Sequence, residues 1–239
     1  MSMLKNLVSP FYSNSGFSCQ EQKTKHHGRH LSTSALFYQQ ARFLTSAPHL
    51  RAAPADSGRE VAFAGRSNAG KSSVINALTG QSRLARVSKT PGRTQLLNFF
   101  QLDGARRLVD LPGYGYAQVP ETIKQQWRKM MEEYFRHRAA LCGLVLVMDV
   151  RHPLTDYDWQ MIEWCRHHPL ALHVLLTKAD KLKYGAAKNT LLQVGRELRQ
   201  VFPTAGVQLF SAPHKTGVEE LVSVLDAWLS VGSKMRDEL

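Results

Sequence analysis

The 239-residue chain has no apolar run near the 18–20 residues that cross a bilayer. Its best apolar stretch, Leu144 to Val150, is short and contains Asp149. It reads as a buried strand, and no membrane span is expected. Cysteine is equally sparse. Cys19, Cys142 and Cys165 form neither a CxxC pair nor an even disulfide framework. Their expected role is that of small apolar residues in a reducing compartment.

Acid is nearly missing from the start of the chain. Between Met1 and Pro54, Glu21 stands alone against Lys5, Lys23, Lys25, Arg29, Arg42 and Arg51. No apolar segment there is long enough for a secretory signal. Ser, Thr and His are frequent, which suits a disordered basic arm or an organellar transit peptide. His26, His27 and His30 have no further ligands at fixed spacing, so a solvated tail is expected rather than a metal site. The division expected is a basic, disordered extension over 1–40, a folded domain over 41–235 and a short tail over 236–239.

Positive charge is plentiful. The formal net charge is +12, from 31 Lys and Arg against 19 Asp and Glu. That balance favours a polyanionic partner, with plain solubility as the alternative. Hydrophobic residues make up 43% of the chain, enough to expect a globular core.

From Glu60 onward, strand-like and helix-like segments alternate. Strands are expected at Glu60–Ala64, Leu96–Leu102, Arg106–Leu111, Gly143–Val150, Leu170–Leu176 and Val207–Phe210. Asp103-Gly104 predicts an antiparallel hairpin between the second and third of these. Helices are expected over Gly70–Leu78, from Pro120, from an N-cap at Thr155 through Cys165, over Ala186–Phe202 and over Val218–Val231. Ile123, Trp127, Met130, Met131, Tyr134 and Phe135 recur at helical spacing and predict a buried stripe. The pattern predicts a three-layer α/β fold, with a mostly parallel sheet, one antiparallel edge hairpin and helices on both faces. Ligands in such sheets bind at the carboxyl ends of the strands.

Four short motifs fall at those ends. Gly65-Arg66-Ser67-Asn68-Ala69-Gly70-Lys71-Ser72 matches the phosphate-loop pattern GxxxxGK[ST] between a strand and a helix. Gly65 and Gly70 would let the backbone curl round phosphate. The helix N-terminus would supply positive potential. Lys71 would reach the β and γ phosphates, and the Ser72 hydroxyl would ligate Mg²⁺. The pattern should arise by chance in about one chain in a hundred of this length. Asp110-Leu111-Pro112-Gly113 ends a strand, with Asp110 placed to hold Mg²⁺ through water and the Gly113 N–H to meet the γ-phosphate. Thr177-Lys178-Ala179-Asp180 ends another. The Asp180 carboxylate would accept two hydrogen bonds from guanine, and adenine would leave it unpaired, so an ATPase is disfavoured. Ser211-Ala212 follows the last strand, where a backbone N–H could meet guanine O6. Each match is weak alone except the first. Their order is what points to a GTP-binding, GTP-hydrolysing P-loop protein.

GRSNAGKSS, KTPGRTQLLNFF, DLPGYGYA, DVRHPLTDYDWQMIEW and LLTKADKL together resemble the EngB family (also YihA or YsxC) of Era-like, TRAFAC-class GTPases. The resemblance runs from about Tyr38 to the last helix. It implies a role in assembly of the large ribosomal subunit, acting on its precursor's rRNA and ribosomal proteins. It also implies a need for the protein in division and septation. The alternative is a division-linked GTPase that acts on protein partners without binding the ribosome. The resemblance further implies that Thr94 is a switch residue ligating Mg²⁺, and that Gly92, Arg93, Thr94, Gln95 and Leu96 touch nucleotide. Phe210, Ser211 and Ala212 would form the guanine loop. Lys71, Thr94 and Asn68 are the residues expected to act on the reaction. Asn68 would hold a K⁺ ion or else tie down its own loop. Tyr114 stands where Ras-type enzymes place a water-orienting glutamine, so hydrolysis should be slow. Lys89 and Arg93 in the switch are expected RNA contacts. The family's setting implies a monomer in bacterial cytoplasm, with an organelle as the alternative if the N-terminal extension is a transit peptide.

Overall fold

Alternation at a period of two sets the faces of the central strand. In Arg59–Gly65, Val61 and Phe63 pack to one side and Ala62 and Ala64 to the other, all buried. A strand buried on both faces needs a helical layer on each. The computed structural model describes residues 33–85, 96–115, 120–168 and 170–231. Within them the order is α1 (Thr33–Gln39), β1 (Arg42–Ala47), β2 (Arg59–Gly65), α2 (Lys71–Thr79), β3 (Leu97–Gln101), β4 (Arg106–Asp110), α3 (Glu121–His137), β5 (Leu141–Asp149), α4 (Asp156–His167), β6 (Ala171–Thr177), α5 (Tyr184–Val201), β7 (Gly206–Leu209) and α6 (Val218–Leu229).

The strands form one sheet in the order β1-β3-β4-β2-β5-β6-β7. Only β3 runs against the rest, antiparallel to both β1 and β4. The remaining pairings are parallel. One face packs against α1, α2 and α6 through Tyr38, Ile75, Leu221 and Leu225. The other packs against α3, α4 and α5 through Trp127, Met131, Ile162 and Leu198. The expected α/β architecture is therefore present. The expected hairpin is β3–β4, and its turn is closed by Asp103 Oδ1, which accepts from the N–H groups of Ala105 (2.9 Å) and Arg106 (2.7 Å).

Two elements went unread in the sequence. Helix α1 lies inside the stretch assigned to a disordered arm, and β1 borders the sheet beyond the hairpin. Tyr38 is fully buried and donates to Asp226 Oδ1 at 2.8 Å, which fixes α1 to α6. The expectation of disorder is thus corrected for residues 33–40, because one buried aromatic outweighs a tail-like composition. Strand β1 is an edge with a bulge between Phe43 and Thr45, and its first residues are exposed. It shows no clean alternation that a sequence pattern could register. Residues 1–32 and 232–239, with His26, His27, His30 and Cys19, lie outside the described residues.

Candidate functional site

Parallel strands deliver their carboxyl ends to one edge of a sheet. Here that edge gathers the ends of β2, β4, β5, β6 and β7. In register, Phe63 pairs with Asp110, Gly65 with Val147, Asp149 with Thr177 and Leu176 with Leu209. The loops after these strands hold the predicted motifs.

The loop after β2 leads into α2. Asn68 and Gly70 both adopt positive φ, 63° and 100°. At Gly70 this conformation explains the glycine. Gly65 has a different reason. A Cβ there would come within 2.5 Å of the Val147 carbonyl oxygen, so close approach of β5 requires glycine and loop curvature does not. Side chains from the end of β6 hold the loop. Thr177 Oγ1 donates to the Ala69 carbonyl, and it also lies 2.9 Å from the Met148 carbonyl. Lys178 Nζ donates to the Asn68 carbonyl at 2.6 Å. Lys178 is itself in the left-handed region, φ 58°.

Lys71, the first residue of α2, forms an ion pair with Asp110 at the end of β4. Ser72 follows in the same helical turn. Lys71 and Ser72 both stand at a helix N-terminus, where the backbone favours anions. Among the described residues no group of three His, Cys, Asp or Glu side chains gathers to make a protein-only metal site.

The base-reading candidate is tied to the last loop. Ser211 Oγ donates to Asp180 Oδ1 at 2.8 Å, and Lys181 Nζ lies 3.2 Å from Oδ2. The Ser211 hydroxyl, followed by Lys181, holds the Asp180 carboxyl below the usual range, so it is ionised at neutral pH. The Ala179 N–H donates to the Phe210 carbonyl at 3.2 Å. Phe210 has its side chain fully buried, so only its backbone faces this loop. Leu111 is buried likewise, and the Pro112 carbonyl accepts from Trp127 Nε1 at 3.2 Å. Leu96 is half-buried just before β3. Gly92, Arg93, Thr94, Gln95 and Lys89 lie outside the described residues.

Sequence reading missed Asp149. Its Oδ2 accepts from Lys178 Nζ at 2.9 Å, and Arg151 binds both its oxygens at 2.9 and 2.6 Å. Arg151, then Lys178, holds this carboxyl well below the usual range. A charged residue closing an apolar strand was the signal available. Asp149 fixes Lys178 between the phosphate loop and the base-reading loop. Tyr114 was expected to orient water poorly, and its side chain is turned into the core. The side chain is 3% exposed and donates to Asp158 Oδ1 at 2.6 Å. A cavity of about 680 Å³ opens beside Asp110, lined also by Phe43, Ser46, Arg83, Asn98 and Phe100. The unread strand β1 therefore forms one wall near the Lys71–Asp110 pair.

A sheet with a phosphate-loop motif, a DxxG carboxylate and a TKxD loop at one edge defines a GTP-binding protein of the P-loop GTPase class. A family model described as 50S ribosome-binding GTPase matches residues 60–178. The "Probable GTP-binding protein EngB" of Nitrosococcus oceani is 56% identical over 195 residues, covering 82% of this chain and 98% of that protein. The chain belongs to the EngB family of GTP-binding proteins. A crystal structure of a probable GTP-binding protein engB shares the fold, with a TM-score of 0.58 at 21% identity, covering 72% of this chain and 98% of that one. So does Era, solved with MgGDPNP and nucleotides 1506–1542 of 16S ribosomal RNA, with a TM-score of 0.53 at 19% identity over 72% of this chain and 57% of that one.

Proposed function

We propose that this GTPase hydrolyses GTP slowly, with Mg²⁺, and uses the two nucleotide states as a switch in assembly of the large ribosomal subunit in the bacterial cytoplasm. The observation that supports guanine choice is the Asp180 carboxylate, ionised and oriented by Ser211 beside the loop of Lys178 and Ala179. A charged bidentate acceptor there matches guanine and rejects adenine. With its Nζ held by Asp149 and the Asn68 carbonyl, Lys178 has a stem that can lie along the base plane. Residues 65–72 cradle phosphate, with Lys71 exchanging Asp110 for the β and γ oxygens. The oxygen donors at Ser72 and Asp110 suit a small hard cation, and Thr94 completes the proposed set. Mg²⁺ bound there supplies charge neutralisation to the phosphates. Asn68, at positive φ, offers its side chain on the loop surface as the proposed K⁺ contact. Slow hydrolysis follows from Tyr114, whose hydroxyl is engaged in the core and leaves no side chain to orient water.

The ribosomal part of the reading draws on charge. On α5, Lys188, Arg196 and Arg199 share one exposed face with Tyr184 (77% exposed) and Leu192 (53% exposed). None of the three bases pairs with a described acid. On α3 and α4, by contrast, Lys124, Arg128, Arg136 and Arg166 are paired and only Lys129 among the Lys and Arg residues is not. Unpaired bases interleaved with an exposed aromatic fit RNA. A second reading, a division role through protein partners, is favoured by exposed Leu36, Phe43 and Leu44 near the sheet edge.

Two measurements test the proposal. Asp180→Asn should weaken GTP and GDP binding by several kcal/mol and admit xanthine nucleotides; unchanged GTP affinity would sink the base assignment. The protein should co-sediment with large-subunit particles when bound to a non-hydrolysable GTP analogue and much less with GDP. Equal recovery with both nucleotides, or none, would favour the protein-partner reading.

A further inference from the structure

The loop Asp110–Tyr114 is held from three sides. The Pro112 carbonyl accepts from Trp127 of α3 at 3.2 Å. The Tyr114 carbonyl accepts from the Ser67 N–H of the phosphate loop at 2.7 Å. The Tyr114 ring lies between Trp127 and Tyr157, with centroids at 5.6 and 5.8 Å, and is stacked on the latter. Its hydroxyl ends on Asp158 of α4. Asp158 is 2% exposed and divides its two oxygens. Oδ1 accepts from Tyr114, and Oδ2 accepts from the Thr155 N–H and Oγ1, both at 2.8 Å. One buried carboxylate therefore joins the first turn of α4 to the residue that follows Gly113.

Gly113 sits between the two tethered residues. A Cβ on it would be 3.5 Å from Ser67, so its backbone already rests against the phosphate loop. A hydrogen bond from an amide to a phosphate oxygen is sensitive to tenths of an ångström and to angle. Whatever fixes Tyr114 fixes the Gly113 N–H with it. We infer that Asp158 is a positioning residue which, through the Tyr114 hydroxyl, holds the Gly113 N–H for the γ-phosphate and so sets the preference for GTP over GDP. This rests on the nucleotide reading given above. Burial keeps Tyr114 protonated, as its donor role requires.

The competing explanation is that Asp158 only caps α4. The two arms of the carboxylate can be cut separately. Tyr114→Phe removes the hydroxyl and keeps the ring stack. Thr155→Val removes one cap bond and leaves Tyr114 in place. Affinities for GDP and for a non-hydrolysable GTP analogue would be measured by calorimetry, together with thermal midpoints and kcat and KM for GTP. Tyr114→Phe should lower affinity for the GTP analogue on the order of tenfold, since a hydrogen bond to a charged group is lost. GDP affinity should stay within about twofold, because GDP has no γ-phosphate for Gly113 to meet. The fall should appear in kcat/KM. Asp158→Asn, whose amide oxygen can still accept from Tyr114, should keep the wild-type GTP/GDP ratio while lowering the melting point. Thr155→Val should do the same. Equal loss for both nucleotides in Tyr114→Phe, or no loss in either, overturns the inference, provided Asp180→Asn weakens both. If Asp180→Asn leaves both affinities untouched, the nucleotide reading itself fails, and this inference falls with it.

Discussion

His173 shows how one residue writes a pH dependence into the fold. It lies on β6, 5% exposed, with Nε2 2.8 Å from Gln208 Oε1. Burial disfavours the imidazolium and lowers its pKa, and the Gln208 contact opposes this only in part. Above the ordinary histidine pKa of about 6.5, both folded and unfolded chains hold it neutral. As pH falls below that value the unfolded chain takes up a proton and the folded chain does not, so stability declines until the lowered folded value is reached. Urea unfolding over pH 7.5 to 5 should show this decline, and His173→Asn should flatten it. Asp149, also held below its usual range, adds its own loss only below about pH 4. The phosphate-site residues behave differently. Lys71→Ala should lower GTP affinity without collapse of the fold, because its ammonium pairs with Asp110 at the candidate site and does not fill the apolar core. Circular dichroism of the variant beside a nucleotide titration checks both halves of that statement.

Helix α5 is the element whose surface best separates an RNA partner from none. Replacing Lys188, Arg196 and Arg199 with Glu should weaken binding to large-subunit particles. It should also reduce the slope of log affinity against log salt by about two to three, as expected for three lost phosphate contacts. Nucleotide affinity should be unchanged. An unaltered salt slope would remove this face from the interface. Elements also show what the sequence discloses. Phe63 and Ala64, Leu144 and Val145, Val174 and Leu175 are buried on both sides of the sheet, and such continuous apolar runs announced β2, β5 and β6. The Thr155 cap and the Asp103-Gly104 turn were equally plain, because a local hydrogen bond defines each. Helix boundaries shifted by a residue or two, α5 starting at Tyr184 and not at Ala186. Strand β1 was not legible, since an edge strand with exposed Phe43 and Leu44 has no face to mark. Nor was the role of Asp149, whose partner Lys178 meets it only because β5 and β6 end side by side, although Arg151 lies two residues along the same chain. Motif loops were readable because their chemistry is local. Tethers such as Tyr114 to Asp158, 44 residues apart, are not.

At the scale of the molecule, the sheet has a working edge and a fastening edge. At the amino end of β2, fully buried Glu60 accepts from Arg107 at 2.7 Å and from Arg138 at 2.6 and 2.8 Å. Arg138 also donates to the Pro54 carbonyl at 2.8 Å, and Arg107 to the Ala55 carbonyl at 3.2 Å. The cluster joins β2, β4, the end of α3 and the loop before β2. Glu60→Gln should cost about 3–5 kcal/mol, because two buried guanidinium groups lose their counter-charge. Denaturant titration measures it, and a loss under 1 kcal/mol would show that water reaches the site. The effect should be on stability alone, with the GTP/GDP ratio kept, because the cluster lies at the far end of the strand from Gly65.

The indole that meets the Pro112 carbonyl has an optical consequence. Trp127 stands one residue from Gly113 along the bonded loop and lies 6.0 Å from the ring of Trp164. Emission from an indole depends on its hydrogen-bond partner and on nearby rings. Under the proposed switch, the protein would carry its own unlabelled reporter. Exchange of GDP for a GTP analogue should change intrinsic emission at a rate that matches nucleotide binding, and Trp127→Phe should abolish most of the change while Trp228→Phe should not. Stopped-flow mixing would then follow the loop in real time without a dye attached to either protein or nucleotide.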